Sequence, residues 1–183
     1  VALVVLAAGG FRGWQYYRNS QNAEAAGLYQ VLTDAAQGKD GKKVRDVAGR
    51  IMEKYSSTAY APRAALIAAN ANYESSDATS AKAQLQWVIA HASEAPLQDA
   101  ARLRLAGILL DEKQYDEAIK LLDARHEAAF DGLYNDLRGD VLAAQGKRDE
   151  ARKAYQSAIE QLDKKNDYHN LVQMKLDGLG GGQ

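Results

Sequence analysis

Between Asp99 and Arg125 the chain reads DAARLRLAGILLDEKQYDEAIKLLDAR, and its apolar positions fall into two runs. Leu103, Leu105, Ala106, Leu109 and Leu110 follow at intervals that place them on one stripe of a helix. The polar residues Asp111 to Gln114 end that stripe. Tyr115, Ala118, Ile119 and Leu122 start another at helical spacing, extended by Leu121 and Ala124. The pattern predicts two short amphipathic helices on a polar joint, a hairpin that cannot cover both of its faces alone.

The neighbours it requires are found by sliding the chain on itself. Ala118, the small residue of the second helix, has counterparts at Ala81 and Ala151, offset by 118 − 81 = 37 and 151 − 118 = 33 residues. Four positions on stand Leu85, Leu122 and Tyr155; three further stand Val88, Arg125 and Ala158. Val44, Ala48 and Ile51 give an earlier, degenerate unit (81 − 44 = 37). A period near 34 with a small residue four before a large one is the tetratricopeptide signature. LAGILLDEKQYDEAIKLL and LRGDVLAAQGKRDEARKAYQSAI resemble that family closely. The large aromatic usual early in the first helix is replaced by Ala65, Arg102 and Asn135. The expected fold is all-α: a tetratricopeptide-like right-handed solenoid of helical hairpins with a C-terminal capping helix.

In chain order, residues 1–18 predict a partial transmembrane or juxtamembrane helix, 19–177 the repeat domain and 178–183 a flexible tail. Val1 to Phe11 is an apolar run whose eleven residues reach about 16 Å as a helix, roughly half a bilayer core. Trp14, Tyr16 and Tyr17 follow beside Arg12 and Arg18, the order in which a span meets the headgroup layer. The segment reads as the back half of a transmembrane helix. From Ser20 the helix continues to the turn at Gly38, and Lys42 to Tyr55 is its partner. Ser56, Ser57 or Thr58 with Pro62, then Ser76 or Asp77, then Ser93 with Pro96, mark the starts of later helices. Asn166 and Asp167 cap a last helix whose Leu171, Met174 and Leu176 are expected to cover the open end of the stack, and the residues from Gly178 are expected to fray.

Charge and chemistry narrow the function. The 183 residues carry 23 basic and 24 acidic side chains, so no net field attracts nucleic acid. Cysteine is absent, which excludes disulfides, thiolate chemistry and a lipid-bearing cysteine. His91, His126 and His169 stand near helix ends without metal-ligand spacing. The glycines of the C-terminal tail follow no strand and precede no helix, so they are no phosphate loop. No catalytic residue, metal site or cofactor is predicted.

The pattern predicts a surface instead. First helices of such a stack line a groove, and its outer positions are Tyr29 and Thr33, then Arg63, Leu66, Asn70 and Tyr73, then Leu103, Gly107 and Leu110, then Asp136 and Asp140. Arg63, Asn70 and Tyr73 suit hydrogen bonds to an extended backbone; Leu66, Leu103 and Leu110 suit apolar contact. A protein partner is expected.

Taken together, GGFRGWQYYRN after an apolar run, the repeats with NDLRGDVLAAQGKRDEARKAY, and the closing LVQMKLDGL resemble the YfgM-type ancillary subunits of the SecYEG translocon over nearly the whole chain. The resemblance implies a non-catalytic module anchored in the inner membrane by one span, with its repeats in the periplasm. It implies as partners the translocon and a membrane-anchored periplasmic chaperone resembling prolyl isomerases. The alternative is a tetratricopeptide scaffold or adaptor of another envelope-assembly complex.

Overall fold

The computed structural model describes residues 2–165 and 167–180, with side chains from residue 10 onward. Among these residues the chain is all-α, a series of helical hairpins that divides into two compact units, Val1–Ala92 and Ser93–Gln183.

The first unit holds α1 (Ala2–Gln37), α2 (Gly41–Lys54), α3 (Tyr60–Glu74) and α4 (Ala78–His91). Ala25, Leu32 and Ala35 form the buried stripe of α1, opposite Val44, Val47, Ala48 and Ile51 of α2 and Ala61, Ala64 and Ala68 of α3. So many alanines let the helix backbones approach closely, and their burial costs no side-chain entropy. The Tyr55 hydroxyl, just past α2, donates to Glu24 Oε2 at 2.7 Å and ties that end of α2 to α1. Ala81, Leu85 and Val88 of α4 are buried at the positions that the repeat assigns them.

The second unit holds α5 (Ala95–Asp111), α6 (Tyr115–Leu122), a 3-10 turn (Ala128–Phe130), α7 (Asp131–Ala144), α8 (Arg148–Gln161) and α9 (Asp167–Gly180). Ala118 and Ala151 are both fully buried, with Leu122 and Tyr155 buried four residues on.

The hairpin turns show the repeat most directly. Lys39, Ser76, Lys113 and Gly146 are left-handed, with φ of 55°, 64°, 61° and 79°. In each turn the following residue donates its N–H to the carbonyl five positions back: Asp40 to Ala35 at 2.9 Å, Asp77 to Asn72 at 2.8 Å, Gln114 to Leu109 at 2.8 Å and Lys147 to Leu142 at 2.9 Å. This is the Schellman closure of a helix C-terminus. The four turns are spaced 76 − 39 = 37, 113 − 76 = 37 and 146 − 113 = 33, the same steps as the small residues. Asp40 and Asp77 then cap the next helix, each accepting at 3.0 Å from the N–H three residues on.

Several local expectations are corrected. The Thr58 hydroxyl donates to the Tyr55 carbonyl at 2.7 Å instead of capping α3, and Glu94, not Ser93, precedes α5 without a side-chain cap. The second helix of the central hairpin stops at Leu122, so Ala124 and Arg125 lie in the loop and Arg125 is exposed. The stop is imposed from α7: Arg138 donates to the Leu122 carbonyl at 2.8 Å and to Asp123 Oδ1 at 2.7 Å. The loop is then drawn onto Asp99, which is 1% exposed and accepts from the Glu127 N–H at 3.0 Å and from Arg102 Nη1 at 2.7 Å. In α9 it is Val172 that is buried, while Leu171 and Met174 are 46% and 69% exposed. The tail expected to fray from Gly178 is helical through Gly180; its remainder, 181–183, and the expected cap Asn166 lie outside the described residues.

Candidate functional site

At the N-terminal end of α1, Phe11, Trp14, Tyr16 and Tyr17 are all exposed. The Arg18 guanidinium lies 4.7 Å from the centre of the Trp14 ring, a cation–π pair on an exposed helix surface. Four large aromatics in seven residues, none buried, cluster here, with the Phe11 and Trp14 rings 6.1 Å apart. Among the described residues no helix is long and apolar enough to cross a membrane. The apolar run meets Arg12 and then polar positions, which lowers the mean hydropathy of any longer window.

The predicted groove residues of the first unit lie on α1 and α3. Tyr29 is half-buried, its ring 5.4 Å from that of Tyr60. Asn70 and Tyr73 are exposed near the C-terminal end of α3, with the Asn70 amide donating to Glu74 Oε1 at 2.9 Å. Arg63 is half-buried and donates to the Ala59 carbonyl at 2.6 Å. Leu66 is 8% exposed, so it serves packing before contact with any ligand. In the second unit, Leu103 and Leu110 are half-buried on α5, as is Gly107.

Asp136 and Asp140 sit elsewhere in chemical terms. Side chains of α9 reach both of them, and α8 reaches Asp140. Asp136 is 2% exposed, and both its oxygens accept from Lys175 Nζ at 2.9 Å. The same ammonium donates to Asp140 Oδ2 at 2.8 Å. Tyr168 donates its hydroxyl to Asp136 Oδ2, and Tyr155 donates to Asp140 Oδ1 at 2.7 Å. Lys175 Nζ also lies 5.8 Å from the centre of the Tyr155 ring. One ammonium and two phenols thus answer two carboxylates.

The electrostatics match that geometry. Burial, then the hydrogen bond to Asp140, pushes the Tyr155 phenol well above the usual range. Burial, then Asp136, does the same for Tyr168. Burial opposes the charge on Lys175, but its bonds to Asp140 and Asp136 outweigh it and hold the ammonium above its ordinary value. Sequence reasoning placed both aspartates in a groove and missed Lys175, Tyr155 and Tyr168 as their partners. The signal was an acidic pair four apart on one helix face, facing a lysine seven residues after a tyrosine.

The histidines take structural positions. His91 Nδ1 lies 2.8 Å from the Trp87 carbonyl, with the two rings stacked at 4.5 Å. His126 stacks on Tyr134 at 3.8 Å, its Nδ1 2.9 Å from the Ala124 carbonyl and its Nε2 3.0 Å from Asp131 Oδ1. His169 has a buried Nδ1 that lacks a hydrogen-bond partner. Among the described residues no three His, Cys, Asp or Glu side chains group as metal ligands.

A family model described as a tetratricopeptide repeat-like domain matches residues 1–181. The chain is 35% identical over 182 residues to a protein of Neisseria gonorrhoeae named ancillary SecYEG translocon subunit, covering 97% of this chain and 87% of that one. It is 30% identical over 179 residues to the protein of that name in Escherichia coli, covering 96% of this chain and 85% of the relative. The counterpart in Aggregatibacter actinomycetemcomitans is 29% identical over 182 residues, 98% of this chain and 88% of its own. No solved structure matches the chain. The chain belongs to the tetratricopeptide repeat-like family of ancillary SecYEG translocon subunits, and is a non-catalytic protein-interaction module.

Proposed function

We propose that this chain works at the SecYEG translocon of the inner membrane as a tethered interaction subunit, with its helical units in the periplasm. The observation that carries the reading is the likeness along nearly the whole chain to proteins named for that role, 35% identity over 182 residues in one case. The N-terminal end of α1 is the tether: its exposed Phe11, Trp14, Tyr16 and Tyr17, flanked by Arg12 and Arg18, have the composition of a membrane interface. The helical units then contact protein partners, among them a membrane-anchored periplasmic chaperone of prolyl-isomerase type. In the first unit the contact residues are Tyr29, Arg63, Asn70 and Tyr73; in the second they are Leu103 and Leu110. A surface of aromatic, amide and aliphatic groups on a chain of net charge −1 binds by backbone and apolar contact more than by charge.

The test is co-purification of the translocon and the chaperone with the intact chain from detergent-solubilised membranes, across a salt series. Binding is expected to weaken little with salt, because screening removes mainly exposed charge–charge attraction. Deleting residues 1–18 is expected to free the chain from membranes while removing only the helix that those residues form and leaving the melt of the remainder unchanged. Tyr73→Ala with Leu110→Ala is expected to lose the chaperone while the membrane tether holds. Absence of SecYEG from the intact chain's complexes would sink the translocon reading. If the deletion unfolds the chain, the N-terminal residues are core and the tether is wrong.

A further inference from the structure

Apolar burial and polar fastening are unequally shared along the second unit. Helices α7 and α8 bury six and four residues, whereas Val172 is the buried residue of α9. Val172 sits in a cluster with Leu142, Ala154, Tyr155 and Ala158, and Tyr168, Leu176 and Leu179 pack beside it half-buried. The rest of the attachment is polar. It comprises Lys175 on Asp136 and Asp140, Tyr168 on Asp136, and the Arg152 guanidinium donating to the Leu179 carbonyl at 3.2 Å. A helix with one fully buried apolar residue, fastened otherwise by half-buried contacts and exchangeable hydrogen bonds, belongs to the low-stability end of a structure.

The seat beneath α9 has the form of a helix-in-groove site, with an apolar pocket and a charged clamp read at intervals of one helical turn. Tyr168, Val172 and Lys175 are its ligands at positions i, i+4 and i+7, continued by Leu176 and Leu179. We propose that the groove between α7 and α8 is a binding site for a basic amphipathic helix of a protein partner, and that α9 fills it in cis as a displaceable latch. The charge balance favours a partner over a second copy of the chain. Two carboxylates, Asp136 and Asp140, face one ammonium, so the clamp keeps a surplus negative charge with α9 in place. A second copy's α9 repeats that imbalance and gains nothing over the helix already there. An arginine in the place of Lys175 carries the same charge but brings five donors in a fixed fork to the two carboxylates, and a second basic residue one turn away on a partner helix would answer the surplus charge.

This goes beyond the translocon reading, which rests on family membership, and its test uses neither membrane nor translocon. Labelled peptides of residues 167–180, carrying lysine, arginine or alanine at position 175, are titrated into the full chain. The expected order is arginine, then lysine, then alanine, with at least about tenfold between the ends. Lys175→Ala in the chain itself loosens the latch and tightens peptide binding by about tenfold. Asp136→Asn with Asp140→Asn removes the preference for a basic residue. Because such variants also perturb the second unit, amide exchange on the unaltered chain supplies an independent reading: α9 exchanges faster than α7 and α8, and the arginine peptide accelerates it. Three results overturn the proposal: α9 exchanging only together with α7 and α8, peptides binding regardless of residue 175, or dimers forming with concentration by exchange of α9.

Discussion

Replacing Gly139 by alanine puts a methyl group where the Tyr155 ring already lies. A Cβ at residue 139 falls 2.4 Å from Tyr155 Cε1, 2.5 Å from Cδ1 and 2.9 Å from Cζ. Carbon atoms in contact settle about 3.5–4.0 Å apart, so the ring has to retreat by about 1 Å. It has little freedom to do so. Tyr155 is buried in the cluster that holds Ala154, Ala158 and Val172, and its hydroxyl is fixed to Asp140 Oδ1 at 2.7 Å. Alanine gains about 0.8–1.0 kcal/mol over glycine in a helix interior. Overpacking of a filled core costs about 1–3 kcal/mol, and an overlap with a ring anchored at its far end belongs at the upper figure. The net expectation is a loss of about 2 kcal/mol, the clash outweighing the propensity. Gly107 on α5 is the control: a Cβ there meets nothing within 4 Å, so Gly107→Ala keeps the gain without the clash. At about 2–4 °C per kcal/mol for a chain of this size, the two substitutions move the thermal midpoint in opposite directions, Gly139→Ala down by about 4–8 °C and Gly107→Ala up by about 2–4 °C. Melts followed by circular dichroism decide it. A Gly139→Ala chain as stable as the parent would mean that α7 and α8 are not packed as described.

Other substitutions test other parts of the fold. Ala118→Leu is expected to cost about 1–3 kcal/mol in denaturant unfolding, because Ala118 is fully buried between helices; no loss would break the assigned repeat register. Lys113→Gly is expected to stabilise by about 0.5–1 kcal/mol, since residue 113 is left-handed with φ 61°; a loss would mean that the lysine side chain matters more than its backbone. Asp99→Ala is expected to cost about 3 kcal/mol by leaving the Arg102 charge and the Glu127 N–H unanswered, against at most about 1 kcal/mol for Asp123→Ala at the exposed pair with Arg138. Equal losses would remove Asp99 from its place as the anchor of the loop after α6.

The repeat was legible because its signal is steric. Ala81, Ala118 and Ala151 recur at the repeat period and all three are fully buried. The left-handed residues that close the turns at the same period were not legible. Lys39, Ser76 and Lys113 occupy left-handed positions where glycine is the usual marker, and only Gly146 carries it. Helix ends set from a distance were equally hidden. Nothing near Leu122 stops α6; the guanidinium that does so belongs to Arg138, sixteen residues on. The candidate surface divides in the same way. Asn70 and Tyr73 are exposed as expected from their place on the first helix of a hairpin, while Leu66 shows that an apolar residue in that register can turn inward.

The C-terminal helix shows how a polar contact overrides an apolar pattern, and it yields a test by pH. Leu171, Val172, Met174 and Leu176 allow α9 more than one buried face, so hydrophobic spacing alone leaves its rotation undecided. Lys175 and Tyr168 decide it by reaching Asp136, 39 and 32 residues back, which turns Val172 inward and leaves Leu171 and Met174 outside. Three groups of that cluster shift upward: Tyr155 and Tyr168 through burial and their aspartate partners, and Lys175 because its two carboxylates outweigh its burial. Tyr134, elsewhere in the unit, is pushed up to about 12 by burial and the nearby Asp99. A group whose folded value is raised contributes stability that is complete below its ordinary value and lost as pH rises through the folded one. The stabilisation from these four groups is therefore intact at neutral pH and falls away above the ordinary tyrosine value of 10.0. Alkaline titration followed by phenolate absorbance and circular dichroism together is expected to show the exposed tyrosines ionising first, with the helices intact. The buried ones ionise later, as the second unit opens. If all ten tyrosines ionise in one step near the ordinary value while helicity is unchanged, the phenols are not held by Asp136 and Asp140, and the rotation of α9 has another cause.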